Sequence, residues 1–113
     1  MEWPKDSAAF GQFIADERLF ARAEEHLRAY LRACSEDNPY AFEEFFRADL
    51  ETVERSYPVR RKIVALNKNY CFDPPQDYLT VQLAIDDSDG DYVCSYTLCL
   101  DLALNFLDEM MGG

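Results

Sequence analysis

At Pro58 the apolar pattern of this chain changes period. Before it, apolar residues recur three and four apart, as on one face of a helix; after it they alternate, as on a strand. Helical segments followed by strands favour an α+β fold over a wound parallel sheet, which would interleave the two. The expectation is about three N-terminal helices (residues 7–57) packed on an antiparallel sheet of about three strands (59–113). One domain of 113 residues, 49% apolar, can bury a proper core.

Three helical segments are expected. The first, Ser7 to Ala15, carries Phe10, Phe13 and Ile14 at helical spacing, with Asp6 or Ser7 as cap and Gly11 weakening it. The second, Glu17 to Cys34 with Asp16 as cap, gathers Leu19, Phe20, Ala23, Leu27, Tyr30, Leu31 and Cys34 in one stripe. Its opposite face holds Arg18, Arg22, Arg28 and Arg32. Those arginines suit a solvated face, a site for an anionic ligand, or a landing surface for the chain's own acids. The third segment starts at the Asn38-Pro39 cap and runs to about Ser56, with Phe42, Phe45, Phe46, Leu50 and Val53 inward. Asp49 falls inside that stripe by angle, where a carboxylate needs a partner or carries a raised pKa.

The alternating half reads as strands. Arg61 to Leu66 opens it and extends toward Phe72, and Asp73 to Asp77 makes a turn. Tyr78–Ile85 and Tyr92–Leu100 alternate cleanly around the polar loop Asp86 to Asp91, the mark of a hairpin. By that alternation Tyr78, Thr80, Val93, Thr97 and Cys99 share the hairpin's outer face. The last segment is expected to form a short helix, Leu102 to Met111, capped by Asp101 and closed by Gly112-Gly113.

Charge divides at nearly the same place. Residues 1–68 hold all 11 Lys and Arg against 13 Asp and Glu; residues 69–113 hold 9 acids and no base. The C-terminal part therefore repels phosphates, which excludes direct nucleic-acid binding there, and suits a basic protein partner. The triplet Arg60-Arg61-Lys62 is too small for a nucleic-acid site and is placed to neutralise nearby acids.

No chemical motif survives. In Asp86 to Asp91, aligning Gly90 with the glycine of an EF-hand puts Ile85 and Tyr96 at two ligand positions, so no metal is expected. The four cysteines have no Cys-x-x-Cys spacing and read as small apolar residues. His26 sits at the edge of the second helix's stripe. No Gly-x-Ser-x-Gly or phosphate-binding glycine loop occurs. No cofactor is expected. No stretch is long and apolar enough to span a bilayer, and the first residues show no export signal, so a cytoplasmic location is expected.

The leading expectation is a non-catalytic binding module, of the kind that acts as a stoichiometric inhibitor. Immunity and anti-defence proteins, including nucleic-acid mimics that block a nuclease, fit it. The partner would be a basic protein such as a nuclease or nucleic-acid-binding protein. The residues expected to carry it are Asp86, Asp87, Asp89, Asp91 and Tyr92, supported by Asp77 and Tyr78. Two alternatives stay open: a structural or assembly subunit that forms a homodimer through the hairpin's outer face or Met110-Met111, and an enzyme or ligand binder around Asp49; across these readings the chain is expected to be a monomer or homodimer.

Overall fold

A computed structural model describes residues 4–112. Four helical segments, α1 (Ser7–Asp16), α2 (Leu19–Asp37), α3 (Pro39–Phe46) and α4 (Leu50–Ser56), precede four strands, β1 (Val59–Asn69), β2 (Gln76–Asp86), β3 (Tyr92–Leu100) and β4 (Phe106–Gly112). The strands form one antiparallel sheet in the order β1-β2-β3-β4, so the fold is α+β. The sheet has four strands where about three were expected.

The helices start and stop where polar side chains take over backbone groups. Asp6 caps α1 by accepting the Ala9 N–H at 2.7 Å. Asp16 ends α1 instead of opening α2. Arg18 then takes a left-handed conformation, φ 51°, and α2 starts at Leu19. The expected third helix is two helices. Arg47, at φ 57°, ends α3, and Asp49 caps α4 by accepting the Thr52 N–H at 2.9 Å. Asp49 is exposed and not part of a buried stripe. A short carboxylate competes for backbone donors and so favours a helix start over a helix interior.

Helix α2 lies across β2 and β3, and α1, α3 and α4 pack against α2. Leu19, Ala23, Leu27 and Leu31 of α2 are buried against Leu79, Val81, Leu83 and Ile85 of β2 and Cys94, Tyr96, Leu98 and Leu100 of β3. Each fully buried Leu contributes about 1.5–3 kcal/mol of transfer free energy, so this double layer dominates stability. Tyr96 is fully buried and donates its hydroxyl to Glu109 Oε1 at 2.7 Å, a polar tie between β3 and β4.

Three departures from simple alternation set the surface. Ile85 pairs with Cys94 but Asp86 pairs with Tyr92, so Val93 is an extra residue. That bulge turns Val93 into the core and Tyr92 out onto the open face, the reverse of the expected alternation. A second irregularity, between Arg61 and Ile63, lies in β1, and a third lies in β4, where Leu107 is extra opposite the Cys99–Leu100 step.

The C-terminal segment is a strand, which corrects the expected helix over 102–111; Gly113 lies outside the described residues. Its cause is the turn before it. Asp101 does cap backbone donors, but those of a hairpin: its Oδ1 accepts the N–H groups of Ala103 and Asn105, both at 2.9 Å. The Asp101 N–H donates to the Asn105 carbonyl, and Leu104 sits at φ 68°. The β2–β3 loop repeats this pattern. Asp87 Oδ1 accepts from Asp89 and Asp91 at 2.9 and 3.0 Å, the Asp87 N–H donates to the Asp91 carbonyl, and Gly90 takes φ 88°.

Candidate functional site

The acidic loop divides on inspection into engaged and free carboxylates. Asp86 is 6% exposed and receives a bidentate pair from Arg60, whose Nη2 lies 3.0 Å from Oδ1. Arg60 thus neutralises an acid of its own sheet, as the basic triplet suggested. Lys62 stays close by, its Nζ 2.9 Å from Ser95 Oγ and 5.6 Å from the centre of the Tyr92 ring. Tyr92 itself hydrogen-bonds Ser95 at 2.7 Å. Asp87 is held by the turn. Asp89 and Asp91 are exposed, and among the described residues neither side chain has a hydrogen-bond or ion-pair partner.

Asp77 and Tyr78 do not join them. They lie at the other end of β2, about 30 Å away at ~3.3 Å per residue. Asp77 pairs with Lys68 at 3.3 Å, and half-buried Tyr78 lies opposite Asn67. The arginines of α2 do not meet the acidic loop either. Arg22 pairs with Glu17 at 3.6 Å and Arg32 with Glu54 at 3.1 Å, within the helical part.

Three carboxyls are held below the usual range. Arg60 hydrogen-bonding does this for Asp86, the Thr52 side chain and N–H for Asp49, and the Asn105 N–H for Asp101. A carboxyl with a lowered folded-state pKa adds stability above the ordinary carboxylate range, and that stability is lost as pH falls through the lowered value. The urea midpoint is therefore expected to decline below about pH 4. Asp86→Asn should flatten part of that decline; a variant whose acid limb matches the wild type would show that the Arg60 pair contributes nothing.

The loop's surroundings point to a site centred on Phe45, which sequence reasoning placed in the core. Phe45 is 51% exposed, and its ring meets Phe46 edge-on at 4.9 Å. Phe46 is buried, and the Tyr57 hydroxyl donates to its carbonyl, so the platform under Phe45 is fixed. Two clefts flank this ring. One, about 440 Å³, runs between the α3–α4 junction and the β2–β3 loop, lined by Phe45, Arg47, Tyr57, Asp87, Asp89 and Tyr92. The other, about 330 Å³, is more apolar and is lined by Tyr30, Cys34, Asp37, Phe42, Phe45 and Met111. The signal that could have exposed Phe45 is the length of its helix. Phe42 and Phe46 already fill the buried stripe of α3, whose eight residues leave a third phenylalanine at the margin.

Asp49 is a helix cap and lines neither of these two clefts. His26 stacks on Phe106 with ring centres 5.3 Å apart. Among the described residues no three His, Cys, Asp or Glu side chains are placed to hold a metal ion, and no helix is long and apolar enough to cross a membrane. Comparison with protein-family models, with curated proteins and with solved structures finds no match to this chain.

Proposed function

We propose that the chain is a non-catalytic binding protein that engages a basic partner through the face around Phe45 and the β2–β3 loop. One observation carries this: a rigidly seated, half-exposed aromatic ring between two clefts, with the unpaired Asp89 beside it. An aromatic anchor with a charged rim is the usual composition of a recognition hot spot. The acid-rich C-terminal part supplies the long-range field that speeds association with a basic surface.

A stoichiometric inhibitor of a basic enzyme is the form of this reading we favour. Arg60 has claimed Asp86, and the turn has claimed Asp87, which leaves Asp89 and Asp91 free. Two free carboxylates are short of a row imitating a phosphate backbone. Recognition of Lys and Arg side chains on a protein therefore fits better than nucleic-acid mimicry.

The test uses the partner recovered from the native host. Phe45→Ala should weaken its binding by about 2 kcal/mol, roughly 30-fold, with folding unchanged. Asp89→Lys should slow association and lower the salt dependence of the affinity. Calorimetry and stopped-flow kinetics measure both. Unchanged affinity and salt slope in the double variant would overturn the reading.

A further inference from the structure

The two edges of the sheet carry opposite charge. β1 carries Arg60, Arg61, Lys62 and Lys68, bases of the kind that blunt an open edge, and both edge strands have one register shift, β1 between Arg61 and Ile63 and β4 at Leu107. β4 has no Lys, Arg or Pro and carries Asp108 and Glu109 instead, and it exposes Leu107 and Met110 as β1 exposes Val59, Ile63 and Leu66. Among the described residues no strand pairs with its outer side. One amide, that of Glu109, is blunted by Asp108, whose Oδ1 accepts it at 2.8 Å.

Beside this edge lies the apolar groove that reaches Met111 and Phe45. By register Asp108 sits opposite Cys99 on the open face of the sheet, and Met111 opposite Tyr96 on the helix face. A strand added to β4 would alternate in step: one set of side chains beside Asp108, the other beside the groove. We propose that β4 is a docking edge for an extended, basic segment of a partner protein, which adds a fifth strand, sets basic residues against Asp108 and places apolar ones in the Met111 groove. This rests on the basic-partner reading above and names how the partner binds.

Charge selects this occupant over a second copy of the chain. Antiparallel pairing of two β4 strands centred on Glu109 would set Glu109 against Glu109, and the neighbouring Asp108 residues close by, where like charges destabilise. Each chain also carries a net charge of −11. A basic strand meets Asp108 with opposite sign, and main-chain hydrogen bonds supply affinity without demanding one sequence.

The probe is a synthetic peptide of about ten alternating Lys and Val residues, long enough to pair along a whole strand. It has two twins, one N-methylated at alternate amides and one with Glu for Lys. Amide hydrogen exchange and chemical shifts of the full chain are read by NMR. The Lys–Val peptide should slow exchange at β4 amides by about tenfold, neither twin should, and Met110→Lys should weaken the effect by about tenfold. Shifts at Phe45 and Asp89 with unchanged exchange along β4 would overturn the edge proposal and leave the binding face standing. Protection by the Glu twin, or protection that grows with protein concentration alone, would overturn it in favour of a charge-blind or self-paired edge. No change anywhere would overturn both.

Discussion

Leu83→Ala is expected to destabilise the fold by about 3 kcal/mol, within the roughly 2–5 kcal/mol seen when a buried Leu is truncated. Leu83 is fully buried at the centre of β2, between Arg61 on β1 and Tyr96 on β3 in register. Its side chain belongs to the set that meets Leu19, Ala23, Leu27 and Leu31 of α2. A rigid two-layer core cannot collapse into the space left behind, so the cavity cost adds to the lost transfer energy. Gln82, one residue earlier, lies on the open face and is half-exposed. Gln82→Ala should stay within about 0.5 kcal/mol of wild type. Urea unfolding measures both. Equal effects would mean that the layer between α2 and β2 does not carry the stability assigned to it.

The thiols give the second large effect. All four cysteines are free; Cys71 is exposed in the β1–β2 loop, Cys34 is intermediate, and Cys94 and Cys99 are buried in β3. Burial pushes the Cys94 thiol up to about 11 and raises that of Cys99. The thiolate is the reactive species, so at neutral pH Cys94 is disfavoured both by protonation and by access. A thiol reagent should modify Cys71 first and Cys94 at least about a hundredfold more slowly in the folded chain. In denaturant the four rates should converge. Comparable native-state rates at Cys71 and Cys94 would show that β3 opens far more readily than its burial implies.

The period change at Pro58 was enough to place helices and strands in the right halves of the chain. The α2 stripe and the alternation of β2 and β3 were legible because each is long enough for its periodicity to show. Failures came where a single residue outranks the pattern. Asp49 and Asp101 each look like one more polar residue in an apolar run; each instead gathers backbone N–H groups, splitting a helix in one case and turning a hairpin in the other. In β4 the run Phe106-Leu107-Asp108-Glu109-Met110-Met111 fits helical spacing as well as a strand, and pairing with β3 decides. The candidate site was legible in part. Asp87, Asp89 and Tyr92 do line one cleft, but the partners of Asp86 and Asp77 depend on β1 register, which no local pattern records. Phe45 was missed because the break at Arg47 rotates α4 out of the continuous stripe on which its burial was inferred.

The layering of α2 on β2 and β3 also has a consequence for synthesis. Each strand of the sheet pairs only with its neighbour in sequence, so the sheet can close as a succession of hairpins. The helices cannot complete their own core. Leu19, Ala23, Leu27 and Leu31 leave the ribosome roughly 60 residues ahead of Leu79, Leu83 and Leu98, which bury them. At about 5–20 residues per second that is a wait on the order of 3–12 s with an apolar helix face uncovered. The helical half of a nascent chain thus keeps an apolar face uncovered until β2 and β3 are free to pack on it, and a pause in synthesis before β2 should cost soluble yield.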